Sequence, residues 1–218
     1  MKQRSDAILH AEQAHYLESI EPARDPLLEK MERFAAERRL PISDPEVASF
    51  LAVTARACSP KLIVEVGANI GYGAIVLARA AGDAARVITL ELNEAHCATA
   101  RGFIAEAGLA HRIEVRQGRA LELLEAMTES IDLAYIDCVK TEYGGYLERI
   151  VPRLSERGVV VADNVLWKGT VAQSDPPAEH RTEALALRDF NRVLLAHPKL
   201  RAVVLPLGDG VAYASKIT

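Results

Sequence analysis

The sequence predicts an α/β fold in which a mainly parallel sheet is covered by helices on both faces. From about Lys61 onward, short apolar runs alternate with patterns of helical period, which is typical of parallel sheets. Near the end, "RAVVLPLGDGVAYASKI" contains two strand-like runs around a Gly-Asp-Gly turn. This pattern indicates an antiparallel hairpin at one side of the sheet.

The elements follow one another in a regular order. Five apolar runs are predicted as strands, at Leu62–Gly67, Arg86–Glu91, Ile113–Gly118, Ile131–Asp137 and Gly158–Asp163, with two more in the hairpin at 201–217. Helical patterns lie at 25–39, 44–57, 72–82, 93–108, 120–127 and 181–197. Asn93 is a predicted N-cap, and Gly82 a predicted helix end.

We expect a single domain, in which residues 1–60 form an N-terminal helical cap and residues 61–218 the α/β core. A chain of 218 residues suits one domain with a large core. The helical segments before Lys61 are too few to predict an independent domain. They are expected to pack on the sheet or to cover a site.

Composition narrows the function classes. Hydrophobic residues make up 50% and charged residues 26%, and the net charge is −4, so no strong field favours nucleic acid or an anionic membrane. No apolar stretch has the length of a membrane span, and "MKQRSDAILHAEQ" carries too many charges for a signal peptide. The widely spaced Cys58, Cys97 and Cys138 are typical of reduced thiols. We therefore expect a cytoplasmic protein.

A cofactor site is indicated where the first two strands end. "EVGANIGYG" gives a glycine-rich turn that matches neither a dinucleotide site nor a phosphate loop. Glu65 in that strand would repel a pyrophosphate, and Glu91 at the end of the second strand is placed to accept hydrogen bonds from a ribose. The combination favours S-adenosylmethionine, although such glycine turns are also found as purely structural features.

A metal site is indicated where the fourth and fifth strands end. Asp137 closes "AYID" and Asp163 closes "VVVAD", with Asn164 directly after it. If these strands are neighbours, the carboxylates meet at the edge where the cofactor lies. An all-oxygen set favours Mg²⁺, with Mn²⁺ and Ca²⁺ as alternatives, whereas zinc prefers histidine or cysteine. The competing interpretation is that each aspartate caps the turn that follows it.

With these motifs together, the chain resembles the cation-dependent class I O-methyltransferases, which include catechol O-methyltransferase and the caffeoyl-CoA O-methyltransferases. The resemblance runs nearly end to end. It rests on "ARDPLLEKMERFA", "EVGANIGYG", "DCVKTEY", "ADNVLWKG" and "LPLGDGVAYASK". It implies a Rossmann-like seven-stranded sheet, mostly parallel with an antiparallel last strand, and extra N-terminal helices.

The resemblance also implies roles for individual residues. The implied metal ligands are Asp137, Asp163 and Asn164. The implied cofactor-binding residues are Ser43, Glu65, Gly67, Ala68, Gly73, Glu91, Ala120 and Asp137. Lys140 matches the proposed base, and the implied substrate-binding residues are Lys140, Asn164, Trp167 and Lys168.

Three positions depart from the family pattern. The family usually has Ser or Thr where this chain has Gly73, often Asp where it has Arg119, and often a polar residue where it has Val139. These departures concern cofactor affinity more than metal binding. Backbone N–H groups at Gly73 remain able to serve a carboxylate.

The predicted reaction is transfer of a methyl group to a hydroxyl of a small catechol-type molecule. A phenol has a pKa near 10, so it needs a cation and a base such as Lys140 to react at neutral pH. Trp167 lies at the start of an irregular stretch, 166–181, that is expected to cover the substrate. Trp167 itself is expected to line the aromatic ring, with core packing as the competing role. For Lys140, the interpretation that competes with its role as a base is an ordinary surface lysine.

Two other functions stay open at this point. A similar site would serve a hydroxylated uridine in transfer RNA, although no basic, aromatic-interleaved stretch favours nucleic acid. The departures at Gly73 and Arg119 also leave open the alternative of a non-catalytic protein that only binds S-adenosylmethionine. A homodimer is expected, because Leu27, Leu28, Met31 and Phe34 form an apolar helix face that must be covered.

Overall fold

The computed structural model describes residues 11–20 and 25–217. The expectation about a signal peptide depends largely on residues 1–10, which lie outside the described residues, as do 21–24 and 218. The helices are α1 Ala11–Ser19, α2 Pro26–Arg38, α3 Pro45–Cys58, α4 Tyr72–Ala81, α5 Glu94–Glu106, α6 Ala120–Ala126, α7 Tyr143–Ile150 and α8 Arg181–Leu195. The strands are β1 Leu62–Val66, β2 Arg86–Glu91, β3 Ile113–Gln117, β4 Ile131–Ile136, β5 Leu154–Ala162, β6 Leu200–Leu205 and β7 Val211–Lys216.

The sheet has the predicted architecture. Its seven strands lie in the order β3-β2-β1-β4-β5-β7-β6. The first five pair in parallel, whereas β7 is antiparallel to both of its neighbours, β5 and β6. The Rossmann-like fold with a reversed last strand is therefore confirmed.

Most element boundaries follow from local signals. Asn93 caps α5 as predicted, since its side chain accepts hydrogen bonds from the backbone N–H groups of Ala95 and His96. Strand β5 begins four residues earlier than expected, because Leu154 pairs with Ile131 ahead of an irregularity in the ladder. Near the other end of the chain, β6 and β7 form the expected hairpin.

Helix α7 was not predicted from the sequence. Its sequence, "YGGYLERI", contains two adjacent glycines, which disfavour an isolated helix. Its apolar side is buried all the same, with Tyr143, Tyr146, Leu147 and Ile150 in the core. Tertiary packing therefore stabilises a helix that local propensity does not favour.

The core consists of two apolar clusters, and alternate residues of each central strand belong to different clusters. In β1, Ile63 lies in the first cluster and Val64 in the second, and in β5 Val161 and Val160 are divided in the same way. Burying a side chain of this size contributes roughly 1.5–3 kcal/mol. Apolar residues therefore line both faces of the sheet, as expected for parallel strands under two helical layers.

The apolar face of α2 is covered within the chain. Met31 is fully buried, and Leu27, Leu28 and Phe34 pack against the first cluster. Phe34 also meets Phe103 of α5 edge to face, with ring centroids 5.3 Å apart. The apolar face that suggested a homodimer is thus covered by packing within the chain. The dimer stays a prediction, but this face no longer supports it.

Two further expectations concern composition. Cys58, Cys97 and Cys138 are free thiols. Among the described helices, none has the length and apolar character needed to cross a membrane.

Candidate active site

The glycine-rich turn after β1 brings the backbone close to β4. Gly67 has φ +106°, and a side chain there would collide with the carbonyl oxygen of Asp137. The backbone N–H groups of Gly67 and Ala68 both donate to the carbonyl oxygen of Leu90, at 3.0 and 3.1 Å. Glycine is therefore required at this position for close approach of two strand ends, as well as for its backbone angle.

Glu65 is buried beneath this turn and faces Gly73. Its carboxylate accepts a hydrogen bond from the hydroxyl of Thr89, and burial raises its pKa to about 8. A side chain at position 73 would collide with the same carboxylate. The glycine that departs from the family pattern thus leaves room for Glu65 in this conformation.

Glu91 connects the two turns that follow β1 and β2. One carboxylate oxygen accepts from the backbone N–H of Asn69 and the other from that of Asn93, both at 2.8 Å. Its side chain is mostly buried at the sheet edge. A ligand hydroxyl that reaches this carboxylate would meet an acceptor already oriented by the backbone.

Asp137 and Asp163 lie next to each other at the same edge of the sheet. They directly follow Ile136 and Ala162, which are paired between β4 and β5. Asp163 is 2% exposed, and its pKa is raised first by burial and second by the negative charge of Asp137. Its carboxylate accepts from the backbone N–H of Asn164 at 2.6 Å and from the hydroxyl of Tyr135 at 3.3 Å.

Lys140 is buried within this cluster and is not a surface lysine. It is only 8% exposed, and its ammonium donates to Asp137 Oδ1 and to the hydroxyl of Tyr143, each at 2.8 Å. Tyr143 in turn donates to the backbone carbonyl of Asp163 at 2.9 Å. Burial raises the pKa of Tyr143 well above its usual value, so its hydroxyl stays protonated. One chain of contacts therefore joins the lysine to both aspartates.

The donors at this edge fit a hard divalent cation. Two carboxylates and the Asn164 amide provide oxygen only, which is the set that Mg²⁺ prefers. Across the described part of the chain, no group of three His, Cys, Asp or Glu side chains is placed to hold a metal ion. Burial and the charge of Asp137 oppose ionisation of Asp163, and a cation beside this carboxylate would stabilise its anionic form.

The remaining predicted residues are distributed around the same edge. Ser43, just before α3, is buried, and its hydroxyl lies 2.8 Å from that of Tyr135. Ala120 begins α6 after β3. The ring of Trp167 lies 5.7 Å from the ammonium groups of both Lys140 and Lys168.

Trp167 contacts the protein on several sides. It is partly buried against the second apolar cluster and meets His180 edge to face, with ring centroids 6.2 Å apart. Its indole N–H is buried without a hydrogen-bond partner among the described residues. Trp167 therefore packs against the core and also lies beside Lys140.

Two surface depressions lie away from this cluster. One, of about 370 Å³, is lined by α6 residues and Arg149, and the other, of about 460 Å³, lies beside β3. Neither contains the aspartates or Lys140. The candidate site is therefore identified by the side chains at the sheet edge and not by the shape of the surface.

Comparison with known proteins identifies the family of this chain. The family described as O-methyltransferase matches residues 18–217. The chain belongs to this O-methyltransferase family. It is 31% identical over 179 residues to caffeoyl-CoA O-methyltransferase 5 of Nicotiana tabacum, covering 78% of this chain and 74% of that protein.

Solved structures resemble this O-methyltransferase over almost its whole length. The O-methyltransferase from Bacillus cereus in complex with SAH is 29% identical, with a TM-score of 0.82, covering 94% of this chain and 97% of that one. The O-methyltransferase TomG from Streptomyces achromogenes, in complex with SAM, is 27% identical with a TM-score of 0.84, and both chains are fully covered.

Sequence reasoning missed several side chains that hold the site of this O-methyltransferase together. Tyr135 bridges Ser43 to Asp163, and Tyr143 bridges Lys140 to Asp163. A signal was available, because a tyrosine in a buried strand or close to Lys140 needs a partner for its hydroxyl. Thr89 was missed as well, and no local pattern connects it to Glu65.

Proposed function

We propose that this S-adenosylmethionine-dependent O-methyltransferase methylates one hydroxyl of a small molecule with two vicinal aromatic hydroxyls, and that it uses Mg²⁺. The observation that carries the proposal is the cluster of Asp137, Asp163, Asn164 and Lys140 at one sheet edge. Two carboxylates, an amide and a buried lysine provide both a cation site and a proton acceptor. A vicinal diol is the acceptor that offers two oxygens to one cation.

The cofactor is proposed to lie along the ends of β1, β2 and β4. Glu91 is placed to accept hydrogen bonds from a ribose, with its carboxylate held by two backbone N–H groups. Glu65 beneath the turn is placed to meet the positive charge of the amino-acid tail, which would favour its ionised form. S-adenosylmethionine supplies the methyl group.

The cation is proposed to be held by Asp137, Asp163 and Asn164. A cation at this position supplies a positive charge that favours ionisation of a neighbouring phenol. Tyr135 and the backbone N–H of Asn164 orient the Asp163 carboxylate. This support keeps a ligand in place at the end of a strand, where a free carboxylate would rotate.

Lys140, in its neutral amine form, is proposed to accept the proton of the acceptor hydroxyl and to become an ammonium. Its ammonium group is held by Asp137 and Tyr143, so it returns to one position after each proton transfer. Trp167 is proposed to lie along the acceptor ring, with Lys168 at the exposed rim. Orienting the ring fixes the angle at which the hydroxyl oxygen approaches the methyl group.

Methyl transfer to matched acceptors tests this function. Purified protein should methylate a vicinal dihydroxybenzoate far faster than the corresponding monohydroxybenzoate. EDTA should abolish the reaction, and excess Mg²⁺ should restore it. Asp163→Ala should lose most activity while its far-ultraviolet circular dichroism stays that of the wild type, because the residue lies at the sheet edge.

Two results would refute the proposal in different ways. Undiminished turnover in excess EDTA would remove the metal. Methylation of transfer RNA without any activity on vicinal diols would replace the small-molecule acceptor by RNA.

We also propose that the protein is a homodimer. The support comes from large apolar side chains that are exposed in the described structure, including Val193 and Leu195 of α8 and Val203 of β6. Where exposed apolar side chains form a contiguous patch, they are a common feature of subunit contacts. Light scattering at micromolar concentration should give twice the mass of the chain, and a monomer mass would reject the dimer.

A further inference from the structure

The segment that carries the proposed acceptor contacts has an unusual backbone. We define the acceptor loop as residues 164–169, which follow β5. Four of its residues have positive φ: Asn164 at 59°, Trp167 at 43°, Lys168 at 55° and Gly169 at 74°. Residues other than glycine adopt this conformation only when surrounding contacts hold them in it. The acceptor loop therefore needs support from elsewhere in the fold.

Much of that support comes from the turn between β6 and β7, the Gly-Asp-Gly motif that the proposed chemistry does not use. We define the hairpin turn as residues 206–210. The backbone N–H of Val165 donates to Gly210 O at 2.9 Å, and that of Leu166 donates to Asp209 O at 3.0 Å. The backbone N–H of Lys168 donates to the Asp209 carboxylate at 2.6 Å. This last bond reaches the middle of the strained stretch.

The hairpin turn packs closely between α3 and the acceptor loop. A side chain at Gly208 would approach Val47 of α3 to 2.9 Å, and a side chain at Gly210 would collide with Leu166. Both glycines have positive φ. Asp209 between them is only 8% exposed, so its carboxylate is shielded from water. A short hydrogen bond donated to a shielded carboxylate is stronger than a hydrogen bond between neutral groups.

We propose that Asp209 is a positioning residue for the methyl acceptor. By holding the backbone of Lys168, it fixes the preceding Trp167 with its ring 5.7 Å from the Lys140 ammonium. Asp209 acts through the loop and contacts no reacting atom. The statement about the acceptor rests on the proposed function, whereas the statement about the loop does not.

Trp167 provides a direct measurement, because it is the only tryptophan in the chain. Asp209→Ala should shift its fluorescence emission to longer wavelength and increase quenching by acrylamide, since the ring gains exposure when the loop is released. The KM for the acceptor should rise and kcat/KM should fall by about ten- to a hundredfold, because a charge-assisted hydrogen bond is lost. The KM for S-adenosylmethionine should change by less than about twofold.

Two further variants separate positioning from general stability. Asp209→Asn keeps an oxygen acceptor and should restore most of the acceptor KM and the emission wavelength. Asp83→Ala is the matched control, because Asp83 is exposed and precedes β2 at the opposite edge of the sheet. It should leave both values unchanged.

The wild-type protein gives a measurement that does not depend on any variant folding. The backbone amide of Lys168 should exchange with solvent at least about a hundredfold more slowly than an unprotected amide, because its hydrogen is bonded to a buried carboxylate. Exchange at the unprotected rate would overturn the proposal. So would Asp209→Ala with wild-type emission, quenching and acceptor KM. If wild-type protein methylates no diol, the proposed function fails, yet fluorescence and amide exchange still decide the role of Asp209 in the loop.

Discussion

Replacing Lys140 by alanine tests whether this lysine takes the proton from the acceptor. In the structure its ammonium lies 2.8 Å from Asp137 Oδ1 and 2.8 Å from the hydroxyl of Tyr143. A lysine held in this way has two possible roles in the reaction. It accepts a proton, or it only neutralises the charge of the two aspartates.

The two roles predict different magnitudes and different pH profiles. Loss of a general base should lower kcat by about 10²–10⁴, which corresponds to about 3–5 kcal/mol of activation free energy. Raising the pH should then restore the rate in part, since bulk hydroxide ionises the acceptor. Loss of a charge partner alone should instead change cation affinity and leave the shape of the pH profile unchanged.

The assay is kcat measured against pH for wild type and Lys140→Ala, with a catechol substrate and saturating Mg²⁺. A Mg²⁺ titration of both proteins reports the charge effect separately. Lys168→Ala is the matched control, because Lys168 is exposed and lies at the same distance from the Trp167 ring as Lys140. Its kcat should keep the wild-type pH dependence. Superimposable curves for wild type and Lys140→Ala would remove Lys140 from the proton transfer.

Two other residues give predictions that need no acceptor. Glu91→Ala should weaken S-adenosylmethionine binding by about one to two decades, or roughly 1.5–3 kcal/mol, and unchanged calorimetric affinity would show that the ribose lies elsewhere. Burial raises the pKa of Glu65 from 4.5 to about 8, so the cofactor-free folded state keeps a proton that the unfolded chain releases, and stability should fall as the pH rises through that window. In urea titrations across this pH range, Glu65→Gln should reduce the loss of unfolding free energy by up to about 5 kcal/mol. Equal losses in both proteins would place the titration on another group.

The sequence alone determined the sheet and the edge at which polar residues meet. Strands fully buried on both faces give continuous apolar runs, and each run stops where the chain leaves the core. The aspartates that follow "AYI" and "VVVA" therefore mark two strand ends in the sequence itself. Local capping chemistry placed the start of α5 at Asn93 in the same way.

Only the tertiary structure decided how these residues are held. Lys140 is held by Tyr143 of α7. The two glycines of this helix disfavour it locally, so the sequence pattern did not predict it. The hydroxyl of Thr89 reaches Glu65 from the next strand, and the turn at Asp209 supports a loop about forty residues earlier in the chain. Local propensity reports on residues within a few positions of one another. Contacts between distant segments depend on how strands and helices pack, so their partners became visible only in the folded chain.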